Sequence, residues 1–401
     1  MRKLLQALLG ALVWSGGQCA GPEPVSIPSQ DGRLQIPAYW FQAEAAGRRP
    51  AVITLHGCSG ALDAQGRLNA GYSREADYFN AEKMHLLVPD SFTARGLKSI
   101  CATATTHRTV YEEDRREDVF AAIQWLASHP AVDKDRIALV GRSHGGQTVL
   151  SVLDATARAV KAQTVQPRAA VALYPGCSKF LQMWNYQISA PLLLMIGELD
   201  DWTPADRCVS LHERLQGRGT GLPFELVVFP GSYHGFDGLG PVRTRDNVST
   251  RLGTATVGGN PAAREKAHQL MFDFLSARLQ TPLLLTHEQR LKGHRYAIPP
   301  ASGFARFDDV AAVPLSEKRR ERYGHYLGLS SPKAFAITEK GGWYFASADS
   351  GAMRSALEHC AKANVKCWLY AVDERVVWRA DVAARIDSAR LQPGAGSRTM
   401  E

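Results

Sequence analysis

Between residues 35 and 280 the chain alternates short apolar runs with amphipathic stretches, and this alternation constrains the fold more than any other feature. The runs are "AVITL" (51–55), "HLLVP" (85–89), "RIALV" (136–140), "AAVALY" (169–174), "PLLLMIG" (191–197) and "FELVVF" (224–229). None keeps the apolar-polar alternation of a half-exposed strand, so each is expected to be buried on both faces, as in a parallel sheet covered by helices. The intervening segments carry helical spacing: in "REDVFAAIQWLASHP", Val119, Ile123 and Leu126 share a face and Pro130 lies just past the end. Val149, Leu150, Val152 and Leu153 open another helix after Gly145. Strand and helix in alternation predict a doubly wound α/β domain with a mostly parallel sheet, whose ligands sit beyond the carboxyl ends of the strands.

A chain of 401 residues exceeds what one core usually organises, and the alternation stops near Thr281. The expected organisation is a main domain over 21–280, a connector with one short helix over 281–330, a small α+β domain over 331–385, and a disordered tail over 386–401. The small domain reads strand-strand-helix-strand in "KAFAIT", "GWYFASA", "GAMRSALEHCAKA" and "CWLYAVDERVVW".

The first 20 residues have the form of a secretory signal: Arg2 and Lys3, an apolar run from Leu4 to Trp14, then small residues and a proline. The run is too short to span a bilayer, so no transmembrane segment is expected. This predicts a periplasmic or secreted protein, with cleavage near Cys19–Gly21. The alternative is a lipoprotein anchored at Cys19, but Gln18 stands where a small residue belongs.

Six cysteines then remain, an even number that in an exported chain favours disulfides over free thiols. Fifteen connectivities are possible; the inferred topology selects Cys58–Cys101, Cys177–Cys208 and Cys360–Cys367. With no Cys-x-x-Cys or His-Glu-x-x-His spacing, neither a metal nor another cofactor is expected. The net charge of +8 is spread over 47 basic and 39 acidic residues that interleave, as in "YEEDRREDVF", so no nucleic-acid partner is expected.

The stretch "ALVGRSHGGQTVL" (138–150) sets Ser143 between Gly141 and Gly145. Alone that spacing is cheap. Here it lies between a buried strand and a helix, where a sharp turn lifts the apical side chain above the sheet and needs very small flanking residues. A serine hydroxyl needs a base to accept its proton. His234 follows the run "FELVVF", and Asp200 and Asp201 follow "PLLLMIG"; both loops sit at strand carboxyl ends. Ser143 is therefore the expected nucleophile, His234 the base, and Asp200, nearer its strand end than Asp201, the orienting acid. The loop "HGCSG" after "AVITL" offers the backbone N–H of Cys58, which with that of His144 forms the expected oxyanion hole. His56 precedes the serine and is expected to orient its loop rather than act as base.

"HGCSG", "GRSHGG", "GELDDWTP" and "YHGFD", in this order, resemble the dienelactone hydrolase family of α/β hydrolases over roughly residues 30–280. The resemblance implies the α/β-hydrolase fold and an ester or lactone hydrolase acting through Ser143, Asp200 and His234, with an oxyanion hole at Cys58 and His144. Founding members use a cysteine nucleophile. Serine at 143 shifts the expectation towards general carboxylesterase chemistry on small-molecule esters or lactones.

Further residues carry weaker expectations. Arg142 and His144 flank the nucleophile and are candidates for holding an acidic substrate. Trp184, Tyr186 and Trp202 are candidates for an acyl pocket. Trp343, Trp368 and Trp378 either pack the small domain or form a carbohydrate surface for envelope or polysaccharide contact, and packing is the expectation. The rival functions are a peptidase or acyltransferase using the same triad, and a non-catalytic envelope- or polysaccharide-binding protein.

Overall fold

The computed structural model describes residues 22–387 except 220, 295, 297, 349 and 350, and residues 390 and 391. The expected signal segment and most of the expected tail lie outside the described residues. Eight strands form the main sheet: β1 (Glu23–Pro28), β2 (Gln35–Phe41), β3 (Arg49–Leu55), β4 (His85–Pro89), β5 (Val132–Arg142), β6 (Ala169–Leu173), β7 (Leu192–Gly197) and β8 (Phe224–Phe229). Their order is β1-β2-β4-β3-β5-β6-β7-β8. From β4 to β8 neighbours run parallel, whereas β1 and β2 are added antiparallel at one edge. All six apolar runs are strands of this sheet.

Among the described residues seven α-helices accompany the sheet: α1 (Ala70–Ala81), α2 (Glu112–Ser128), α3 (His144–Val152), α4 (Arg158–Lys161), α5 (Ser178–Gln182), α6 (Ala205–Gly217) and α7 (Pro261–Leu279). Local chemistry sets their ends. The first turn of α2 is acidic, and Asp114 accepts a bond from the Tyr111 amide at 2.8 Å. Asn260 caps α7 and Pro261 occupies its first turn. One expectation is corrected: β8 is not buried on both faces, because it is the sheet's edge strand, and Glu225 is exposed there.

The C-terminal part forms its own four-stranded antiparallel sheet. Between it and β8 lies a two-stranded hairpin, β9 (Arg243–Asp246) and β10 (Thr254–Val257). The small sheet comprises β11 (Lys333–Thr338), β12 (Trp343–Ser347), β13 (Cys367–Val372) and β14 (Arg375–Val376), in the order β12-β11-β13-β14. Residues 281–330 hold two helices rather than one, α8 (His287–Leu291) and α9 (Glu317–Leu327). Nor is this segment a passive connector. Tyr323 and Tyr326 of α9 are fully buried against Phe335 and Tyr370, closing one face of the small sheet, while α10 (Ala352–Lys362) packs on the other. Arg290 of α8 forms a buried ion pair with Glu82, 2.6 Å away at the end of α1, and so ties the segment to the main sheet.

Trp378 packs in the small core as expected, whereas Trp343 and Trp368 are half-buried; Trp343 stacks on Phe335 and Phe345. The three disulfides are Cys58–Cys101, Cys177–Cys208 and Cys360–Cys367, the pairs expected from topology. No helix among the described residues is long and apolar enough to cross a membrane.

Candidate active site

The sharp turn between β5 and α3 is visible in its backbone. Ser143 sits at φ 54° and ψ −119°, a conformation that costs a non-glycine residue on the order of 1–3 kcal/mol and persists only where its surroundings hold it. Both flanking glycines are steric necessities. A Cβ on Gly141 would lie 2.3 Å from the Gly145 carbonyl oxygen, and one on Gly145 would lie 2.2 Å from that of Leu55. The helix starts at His144, ahead of Gly145, rather than after Gly145 as its apolar pattern suggests.

The loops after β7 and β8 bring the other candidates to this turn. His234 Nε2 lies 2.9 Å from Ser143 Oγ, and His234 Nδ1 lies 2.8 Å from Asp200 Oδ2. Asp200 is itself held: Oδ1 accepts from the amides of Trp202 (3.0 Å) and Thr203 (2.8 Å). Asp201 turns away and accepts from the Thr256 amide and hydroxyl on β10. Thr203 was not singled out by sequence, yet its hydroxyl lies 3.0 Å from Asp200 Oδ2 and 3.1 Å from His234 Nδ1. Its signal was available: a threonine three residues after an aspartate in a turn that ends at proline can bond back to it. Trp202 and Tyr174 pack against the imidazole, with ring centroids 4.8 and 4.7 Å away.

Ser143, His234, Gly57, Cys58, Trp202 and Tyr174 line one cleft of about 710 Å³. The hairpin of β9 and β10 forms a wall of it: Val257 bridges to His234, and the Arg245 guanidinium lies over the Trp202 ring at 5.4 Å. Leu291 of α8 also reaches the cleft, so the segment beyond residue 280 contributes to its lining.

The structure brings two of the weaker candidates, Arg142 and Trp202, to the cleft and places the others elsewhere. Arg142 borders the cleft but is engaged by two carboxylates, Glu75 at 3.0 Å and Asp237 at 2.7 Å, so its charge is already matched. Burial works against that charge, but Glu75 and Asp237 outweigh it and hold the guanidinium protonated. Burial raises the Glu75 carboxyl, and Arg142 opposes the rise. Asp237 also accepts from the Tyr174 hydroxyl at 2.7 Å, linking this ion cluster to the ring beside His234. The His144 side chain is buried against Arg115 and is not part of the cleft wall. Tyr186 is in the core, bonded to the Leu150 carbonyl, and Trp184 is 77% exposed away from the cleft. Only Trp202 of the three proposed pocket aromatics lines it.

Among the described residues no group of three metal-binding side chains converges. The geometry offers a hydroxyl in contact with an imidazole, both lining a cleft, with a buried carboxylate on the far side of the ring, which is the equipment of nucleophilic acyl transfer.

The sequence pattern of the dienelactone hydrolase family matches residues 36–279. A Bradyrhizobium sp. protein named "Probable 2-oxo-3-(5-oxofuran-2-ylidene)propanoate lactonase" is 25% identical over 224 residues, covering 50% of this chain and 78% of that protein. Among solved structures, esterase 2 of Thermogutta terrifontis is 19% identical, with 65% of this chain and 93% of that chain covered and a TM-score of 0.46. A dienelactone hydrolase-like promiscuous phosphotriesterase from metagenomic libraries is 17% identical, with 64% and 99% covered and a TM-score of 0.48.

Proposed function

The chain belongs to the dienelactone hydrolase family, hydrolases of esters or lactones, and from that premise we propose that it is an exported serine hydrolase working through an acyl-enzyme on Ser143. The observation that carries the reading is the pair of contacts Ser143 Oγ–His234 Nε2 at 2.9 Å and His234 Nδ1–Asp200 Oδ2 at 2.8 Å. His234 Nε2 takes the hydroxyl proton as Ser143 Oγ attacks the substrate carbonyl. The oxyanion that forms faces the backbone N–H groups of Cys58 and His144, each worth about 3 kcal/mol in the transition state. Collapse breaks the ester bond, and the imidazolium returns the proton to the leaving alkoxide. A water, deprotonated by His234, then attacks the acyl carbon; the bond from that carbon to Ser143 Oγ breaks, the acid leaves, and the imidazolium returns its proton to Oγ. Asp200 keeps Nδ1 protonated and stabilises the imidazolium throughout.

The Bradyrhizobium protein is named a lactonase, which supports lactones as substrates beside open-chain esters. The signal-like first 20 residues and the three disulfides support export to the periplasm or medium. A fluorophosphonate is expected to label the wild type near pH 8 and to leave Ser143→Ala unmarked. A p-nitrophenyl acetate burst with no cleavage of peptides separates an esterase from a peptidase. Folded wild type that takes no label would end the hydrolytic reading.

A further inference from the structure

The two amides proposed to face the oxyanion belong to different elements, the loop after β3 and the start of α3, and one buried side chain touches both. Arg115 of α2 is 1% exposed. Its Nη2 donates to the His56 carbonyl at 2.7 Å, and its Nη1 lies 2.7 Å from His144 Nδ1. A guanidinium only donates, so His144 must present an unprotonated Nδ1 and carry its proton on Nε2, which points towards Glu112 at 3.9 Å. Burial, and then the Arg115 charge, depress the protonation of His144 far below the usual imidazole range, in keeping with a neutral ring.

On the other arm, His56 Nδ1 lies 2.9 Å from the Gly57 carbonyl oxygen and donates to it. The C=O and N–H of a trans peptide point in opposite directions, so a Gly57 carbonyl held back towards His56 turns the Cys58 N–H the other way. Cys58 and Gly57 border the cleft that holds Ser143. Arg115 remains cationic at neutral pH although burial pushes it down to about 10; Asp118 and Asp90 counter part of that burial.

We propose that Arg115 is the positioning residue of the oxyanion hole: one guanidinium brackets the His56–Cys58 loop and the Ser143–His144 turn at a fixed separation, with His56 and His144 as its two neutral arms. This rests on the acyl-enzyme reading above. Misaligning such donors, as opposed to removing one, weakens binding of the transition state and leaves substrate binding nearly unchanged.

The test compares Arg115→Met and Arg115→Lys with wild type on p-nitrophenyl acetate, and measures inhibition by an aryl boronic acid, whose serine adduct mimics the tetrahedral intermediate. Arg115→Met is expected to lose about 10- to 100-fold in kcat with KM within about 3-fold, and to lose boronate affinity by a similar factor. Arg115→Lys, able to reach one arm at a time, should fall between. A folded Arg115→Met with kcat within 3-fold of wild type, or with boronate affinity unchanged, overturns the proposal.

Should the variants fail to fold, wild type still decides. Nitrogen-15 NMR must show His144 neutral with its proton on Nε2 from about pH 5 to 8, and an Nδ1–H tautomer or an imidazolium rejects the bracket. Fluorophosphonate labelling separates the two readings. No label on wild type removes the hydrolytic reading and this one together, whereas normal labelling with an unimpaired Arg115→Met removes this one alone.

Discussion

The main sheet and the C-terminal unit both bury charge, and they use it differently. Around Ser143, Arg142, Glu75 and Asp237 form an ion cluster that borders the cleft and joins α1, β5 and the loop after β8. In the C-terminal unit, Asp373 accepts from His294 Nε2 at 2.5 Å and from the Lys333 amide at 3.0 Å, and Lys333 Nζ donates to the carbonyls of Tyr326 and Leu327. No member of this second cluster borders the cleft. Buried charge therefore marks where the chain needs an exact relative position; only its opening onto a cavity turns that position into a site.

The strongest way to break this contrast is to disable each region in turn. Asp200→Asn is expected to lower kcat about 10⁴-fold through loss of the required imidazole tautomer, with a melting temperature within a few degrees of wild type. Asp373→Ala should do the reverse. It leaves the His294 imidazole and the Lys333 backbone amide buried without their acceptor and costs about 3–5 kcal/mol in the C-terminal unit, while kcat changes less than 2-fold. Denaturation followed by tryptophan fluorescence, beside ester kinetics, measures both. An Asp373→Ala protein that is folded but inactive would abolish the contrast.

Glu75→Gln is expected to fall between, since it unbalances the cluster that borders the cleft: roughly 10-fold in kcat together with about 3 kcal/mol in stability.

Acid should separate the regions by pH. His85 is pushed down to about 4, and burial likewise lowers His56, His144 and His268, all in the main-sheet region. Each binds its proton more tightly when unfolded, so the stability from keeping it neutral is complete above the usual imidazole value near 6.5. It is lost as pH falls towards 4, at up to about 1.4 kcal/mol per pH unit for each proton. In the C-terminal unit burial would raise Asp373, but His294 outweighs it and holds the carboxyl below its ordinary range, so that contribution survives until the pH falls through the carboxylate range. Hydrogen exchange at pH 5 is expected to loosen the main sheet first, and earlier loosening around Asp373 would contradict this.

The smallest effect belongs to the staple Cys360–Cys367, which closes a loop of sequence separation 7. Replacing both by serine should cost about 2.5 kcal/mol locally and leave kcat unchanged.

Legibility followed the range of the interaction. Six strands were readable because each is a run of consecutive apolar residues; burial on both faces explains β3 to β7, whereas β8 keeps an apolar run although it is the edge strand and Glu225 is exposed. β1 and β2 were missed: β1 is interrupted by prolines and mostly exposed, and β2 has one face only partly covered. β9, with the sequence "RTRD", has no apolar pattern at all, although its hairpin walls the cleft. The positions of Ser143, Asp200 and His234 were readable because each follows its strand by a few residues. The partners of Arg115 and Arg142 were not. They lie 29 and 59 residues away for Arg115, and 67 and 95 for Arg142, and no local spacing encodes such meetings.

The sequence by itself determined the alternating α/β layout, the sharp turn at Ser143 with its obligatory glycines, and the chain order of the candidate serine, acid and base. These are consequences of local sterics and of burial periodicity. Only the tertiary structure decided which charges are spent on holding the site, that His144 faces Arg115 instead of a substrate, and that α8 reaches the cleft. Those outcomes depend on how distant segments desolvate one another, and a buried charge takes as its partner whatever the folded chain brings within reach.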